Sequence, residues 1–333
     1  MSISRENQAG TKYPTKQLMP MDPHITDIQP GGGIVIGIEQ FWGKIRRAYL
    51  STFRRGYVKR MEACRQGDFN PCPHPVLDPR DLKFYRNQGG YFWRPEDDPF
   101  TWRSKLPFAR DGLAELLLMG GGWLAATVLL GWAATNFAGA ISIVLWLLAV
   151  TCGVFTALIV WFFRNPDRAI PTEANLVVAP ADGTISDIEQ IEHDDFIGGP
   201  ALKVGIFLSI FNVHINRSPV ACRVIGLRYQ PGKYLNALRP ESARENEQVA
   251  VLIQADGTNR PMIVRQITGA IARRIVCWVK PGDTLAAGEQ FGMIKLGSRT
   301  EILVPNEPGI EILIKKGDKI KAGSTVLLRM PVI

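Results

Sequence analysis

The 333-residue chain reads as a mostly β (α+β) domain behind an N-terminal transmembrane helical hairpin. Three observations predict this. A run from Leu116 to Phe163 spans 48 residues without one Asp, Glu, Lys or Arg. From residue 165 onward, β-branched and apolar runs alternate with Gly, Pro, Asp and Asn. Near the C-terminus, two segments 35 residues apart repeat a Gly-Asp turn pattern.

The apolar run comes first. A helix crosses a hydrocarbon core of ~30 Å with about 20 residues, so 48 residues suffice for two spans. The break falls at "ATNFAG", where Asn136 and Gly139 supply turn chemistry. The spacing predicts helices over about 116–135 and 139–163, within a hairpin unit of 113–164. Arg103, Lys105 and Arg110 precede the hairpin and Arg164 and Arg168 follow it, while the linking turn is uncharged. The excess of cations on both flanks predicts that both ends, and so the C-terminal domain, lie on the cytoplasmic side of the cell membrane.

Residues 1–38 read as a flexible tail, and no basic-then-apolar leader opens it. Residues 39–112 read as a basic, aromatic extension. Within it Trp42, Ile45, Tyr49, Phe53, Tyr57 and Met61 recur at steps of three and four, with Lys and Arg filling the other faces. Such a helix suits anionic lipid headgroups or packing on its own domain. The net charge of +8 points to an acidic partner, nucleic acid or anionic lipid. Cys64, Cys72 and His74 match no common zinc spacing, so no metal is expected. The five cysteines lack a disulfide framework and read as thiols.

The strand-rich part, 165–333, includes "KVGIFLSIFNVHI", "RVIGLRYQ", "VAVLIQ" and "MIVRQIT". Asp256-Gly257 predicts a hairpin turn, and "YLNALRPESARENEQ" a loop or short helix. "VKPGDTLAAGEQFGMI" and "IKKGDKIKAGSTVLLRM" are the repeat. Quasi-symmetric Gly-Asp turns of this kind resemble the swapped halves of lipoyl and biotin carrier domains, which predicts a small barrel or sandwich.

Three polar residues stand at the edges of apolar strands. Ser298 follows Gly297 inside "FGMIKLGSRTEILVP", which a tight turn would explain and so would a bond that must be reached and broken. His214 is embedded in "GIFLSIFNVHINRSP", and Asp182 precedes Gly183 in "VVAPADGTI". A serine, a histidine and an aspartate are the parts of an activated hydroxyl.

These motifs, with "RYQPGKYLNA", "ENEQ" and "WFFRNPDR", resemble the short bacterial form of phosphatidylserine decarboxylase from about Leu148 to the C-terminus. The resemblance implies a proenzyme cut before Ser298, giving a β chain of 1–297 and an α chain of 298–333. Ser298 would become a pyruvoyl group, with His214 as base and Asp182 its orienting partner. The pyruvoyl ketone would form a Schiff base with phosphatidylserine, and loss of CO₂ would yield phosphatidylethanolamine. The implied partners are lipid substrate and membrane, not nucleic acid; a homo-oligomer is left open. Many relatives carry a second histidine three places before the conserved one, where this chain has Phe211. Arg217 and Lys233 are candidates for the headgroup phosphate. Two alternatives remain: a membrane-tethered carrier domain modified at Lys295 in "GMIKLG", and a decarboxylase of another serine-headed lipid.

Overall fold

The computed structural model describes residues 12–22, 25, 34–64, 75–77, 81, 105–271, 274–295 and 297–332. Cys72, His74, His24 and Arg103 lie outside them. Cys64, Cys152, Cys222 and Cys277 are thiols.

Helix α1 (Ile34–Phe53) and α2 (Arg55–Cys64) form the N-terminal helical pair. They pack with Val76 and Leu77 through Leu50, Tyr57 and Met61, while Arg46 and Arg47 pair with the buried carboxylate of Asp81. The predicted apolar stripe is therefore divided. Its C-terminal part is covered, whereas Phe41, Ile45, Tyr49 and Phe53 form an exposed row at four-residue steps.

Two helices are long and apolar enough to cross a membrane: α3 (Arg110–Asn136) and α4 (Gly139–Phe162). At ~1.5 Å per residue, each exceeds a hydrocarbon core of ~30 Å. Small residues let the two approach, as Gly131 meets Trp146 and Gly153 meets Thr127. Trp123 stacks on Phe155, and Ser142 donates across to the Ala134 carbonyl at 2.9 Å. The turn falls where Asn136 and Gly139 predict it, with Gly139 at φ +65°. The first helix begins six residues earlier than expected and includes Arg110, Asp111 and Glu115. The hairpin's two ends are tied together, with Ala109 N–H donating to Phe163 and Asn165 N–H to Pro107.

Strands follow: β1 (Leu176–Val178), β2 (Gly183–Asp194), β3 (Gly199–Leu208), β4 (Ile215–Arg217) and β5 (Cys222–Gln230). After the short helix α5 (Ser242–Glu245) come β6 (Gln248–Ala255), β7 (Pro261–Ile267), β8 (Arg274–Cys277) and β9 (Thr284–Leu285). The last are β10 (Gln290–Lys295), β11 (Ser298–Pro305), β12 (Glu311–Ile312), β13 (Lys319–Ile320) and β14 (Val326–Arg329). The largest sheet runs β13-β2-β3-β11-β7-β6-β5-β9, flanked by three-stranded sheets β4-β10-β8 and β1-β14-β12. The predicted Asp256-Gly257 turn joins β6 to β7, with Gly257 at φ +72°.

The repeat is visible in the fold. Gly282 and Gly317 take φ of +98° and +94°, and Asp283 and Asp318 each accept the backbone N–H three residues back. The two copies place β9 and β13 at opposite edges of the large sheet. That placement corrects the expected barrel: both edge strands are two residues long and pair inward only, so the described residues form no closed barrel.

The tail expectation also needs correction. Residues 12–22 lie along the sheet: Met19 N–H bonds the Ile225 carbonyl, Tyr13 donates to Glu307 at 2.6 Å, and Ile25 joins the core. Gly226 makes room, since a Cβ there would meet Met19 Sδ at 2.9 Å.

β11 is buried along its whole length because it separates two apolar clusters. Ile302 and Val304 face one with Val204 and Ile206, and Leu303 faces the other with Leu252 and Ile263. Each such side chain contributes about 1.5–3 kcal/mol on burial. By strand alternation Ser298 shares the face of Ile302 and Val304.

Candidate active site

Ser298 opens β11, paired with Leu208 of β3, and is fully buried. Its Oγ has no hydrogen-bond partner among the described residues. A buried hydroxyl left unsatisfied costs about 1–3 kcal/mol, so such an atom asks for a reason. Gly297 before it holds φ +75°, a conformation that disfavours any side chain.

The Gly297 N–H donates to His214 Nε2 at 3.2 Å, and His214 Nδ1 lies 2.9 Å from the Asn212 carbonyl oxygen. A carbonyl only accepts, so Nδ1 carries the proton and Nε2 presents its lone pair. Phe162, in the last turn of α4, packs its ring 4.5 Å from the imidazole. Burial, with the nearby Arg164 cation adding to it, lowers the His214 pKa to about 4 despite the Asn212 bond. The ring is therefore neutral at ordinary pH, as a base must be.

Gly269 lies against the next peptide, the one that joins Gly297 to Ser298. A Cβ there would stand 2.0 Å from the Gly297 carbonyl oxygen and 2.9 Å from its carbon. Only glycine permits that approach.

Asp182 is placed otherwise than as the partner of His214. Both its oxygens bond Arg168, at 2.8 and 2.9 Å, and one accepts the Ala322 N–H at 2.8 Å. The imidazole is oriented by Asn212. Arg168, Arg217 and Arg164 form a basic group around Asp182, near enough that their charges act on one another. Arg217 is half-buried and donates to the Gly288 carbonyl at 3.0 Å; burial first, then Arg168, lowers its pKa. Lys233 is exposed and pairs with Glu245 at 2.7 Å. The Phe211 side chain is exposed, and its carbonyl accepts bonds from Trp161 and Arg164 at the end of the hairpin.

Lys295 is 1% exposed, with its ammonium held by Glu39 and Glu115. A carrier lysine must swing free, so this burial removes the carrier alternative.

Sequence reasoning missed Asn212, Gly269, Arg168, Glu39 and Glu115. Gly269 alone left a signal, a glycine directly after a strand in "QITGA".

A buried hydroxyl at Ser298 and a neutral imidazole bonded to the neighbouring Gly297 N–H define a site able to act on its own backbone. The family model for phosphatidylserine decarboxylase matches residues 155–328. The phosphatidylserine decarboxylase proenzyme of Rhodopirellula baltica is 49% identical over 249 residues, 74% of this chain and 98% of that protein. The proenzyme of the same name from Symbiobacterium thermophilum is 44% identical over 186 residues, 56% of this chain and 85% of its own. The chain belongs to the phosphatidylserine decarboxylase family.

Proposed function

We propose that the chain is a membrane-bound phosphatidylserine decarboxylase, made as a proenzyme that severs itself between Gly297 and Ser298. The partnerless Ser298 Oγ, one residue from an amide already held by neutral His214, carries the reading.

In the first step Ser298 Oγ attacks the Gly297 carbonyl carbon while His214 Nε2, turning from the Gly297 N–H, takes the hydroxyl proton. The amide C–N bond breaks, its nitrogen receives that proton, and an ester joins residues 297 and 298. Loss of the Ser298 Cα proton then expels Gly297 as a carboxylate. Residue 298 is left as dehydroalanine, and water releases ammonia from it to leave a pyruvoyl terminus. The residues fit that group: the nucleophile has no competing partner, and Gly297 offers no side chain to obstruct its carbonyl.

The pyruvoyl group supplies a ketone that condenses with the substrate amine and accepts the electron pair freed with CO₂. The surrounding residues bind and orient. Arg217, half-buried beside Arg168, is assigned to the headgroup phosphate, since an anion there would offset the repulsion between them. Lys233, neutralised by Glu245 on the surface, is not needed for it. Phe211 points outward at the hairpin's end, so the proton returned to the product comes from another group.

The cations flanking the hairpin support a cytoplasmic catalytic domain on the inner membrane. The matching Gly-Asp edge turns support a fold built from two interleaved carrier-like halves.

Intact-mass analysis tests the reading. The purified chain should give fragments 1–297 and 298–333, the second with a pyruvoyl terminus. Ser298→Ala should give one whole chain that releases no CO₂ from phosphatidylserine. Decarboxylation by an unbroken chain would refute it.

A further inference from the structure

A buried charge cluster lies immediately upstream of the proposed cleavage bond and takes no part in the chemistry above. Lys295, the last residue of β10, donates to Glu39 of α1, to Glu115 near the start of α3, and to the Asp111 carbonyl at 3.0 Å. Arg274, opposite Lys295 in the β10–β8 register, is fully buried and pairs with Glu39 at 3.4 Å. Burial alone would drive the Lys295 ammonium neutral. The Glu115 and Glu39 carboxylates outweigh it and hold the pKa above the ordinary lysine value.

The origin of each charge matters. Lys295 and Arg274 lie inside the family-matched region 155–328, whereas Glu39 and Glu115 lie outside it. A matched region folded by itself would bury the Lys295 ammonium without these carboxylates, and an uncompensated buried charge is among the most costly features a fold can carry; Arg274 keeps the Glu247 carboxylate nearby, which lies within that region. The core of this chain therefore depends on α1 and on the hairpin.

We propose that Glu39 and Glu115 are positioning residues for self-cleavage. They hold the end of β10, and through it the Gly297 carbonyl, in register with Ser298 and His214 only when α1 and the hairpin are docked. One residue separates Lys295 from Gly297, so slack at Lys295 reaches the carbonyl directly. A misplacement of about 1 Å costs roughly a hundredfold in such a step. The inference rests on Gly297–Ser298 being the bond severed. It adds that severance awaits docking, so that the reactive ketone arises only on an anchored protein. The exposed row Phe41, Ile45, Tyr49 and Phe53 on the outer side of α1 fits a helix seated on lipid.

The test uses the full chain synthesised with vesicles of phosphatidylethanolamine and phosphatidylglycerol, sampled over time by intact mass. Glu39→Gln should slow the appearance of fragment 298–333 by at least about tenfold, and Glu39→Asp should recover most of the rate. Leu327→Ala serves as control, a buried truncation far along the chain from the cluster. It should lower the melting temperature comparably and leave the cleavage rate unchanged. Melting is read in a Ser298→Ala background, where no cut intervenes. Should Glu39→Gln fail to melt cooperatively there, Glu115→Gln is read by the same criteria. Cleavage at the parent rate, or slowing no greater than in Leu327→Ala, overturns the proposal. A parent chain that stays whole would instead overturn the function proposed above.

Discussion

Gly269→Ala is the sharpest probe of the cleavage geometry, because it adds one methyl group without changing any charge. The new Cβ would lie 2.0 Å from the Gly297 carbonyl oxygen, whereas real Cβ contacts essentially never fall below 3.0 Å. The carbonyl and the Gly269 backbone must therefore part by about 1 Å. Gly297 is held by its N–H to His214, and Ser298 by pairing to Leu208, so the displacement would fall on the carbonyl that Ser298 is proposed to attack. An error of that size in a reacting pair costs roughly a hundredfold. Pulse-labelled synthesis followed by electrophoresis gives the half-time for conversion of the whole chain into 1–297 and 298–333. Melting in the Ser298→Ala background separates misplacement from unfolding. We expect a rate about a hundredfold lower with a modest loss of stability. Cleavage of Gly269→Ala within about threefold of the parent would show that the carbonyl is not held by this contact, and the reasoning would fail.

Four further predictions are independent of that one. The cleavage rate should stay flat from about pH 8 to pH 5 and fall only near 4, where His214 protonates; a midpoint near 6.5 would contradict its burial. Stability follows the same group: its folded pKa lies below the unfolded one, so the contribution is complete above about 6.5. It is lost as pH falls towards 4, on the order of 3 kcal/mol, which urea titrations across that window would detect. Asp182→Asn should leave the acid limb of the cleavage profile unmoved, since Asp182 bonds Arg168 rather than the imidazole; a shifted limb would restore it as the partner of His214. Alkaline carbonate should leave the protein in the membrane pellet, and its release would argue against two spanning helices.

The hairpin was legible because charge-free length is a local property, and Asn136 and Gly139 marked its turn. Its true start was hidden because Glu115 is neutralised by Lys295, a partner 180 residues away that no local window reveals. The repeat was legible through glycines at positive φ, yet the barrel drawn from it was wrong because both edge strands are too short to close on each other. Ser298 and His214 stood out as polar residues inside apolar runs. The groups that support them did not, since a backbone carbonyl at Asn212 and an arginine just past the hairpin's end carry no signature of their own. Residues 12–22 show no periodic pattern for a similar reason: they hold on through scattered contacts, among them Tyr13, Pro14, Lys16, Met19 and Asp22.

The position of β11 within the sheet has a bearing on what becomes of the molecule once cut. Its neighbours β3 and β7 hold it on either side, and the proposed break would fall at its very first residue. The 36-residue product, 298–333, would thus stay threaded through the middle of the larger piece, bonded along both flanks. Pulling it out would lay bare two raw strand edges and open both apolar layers, so the pair should travel as one body until denaturant parts them.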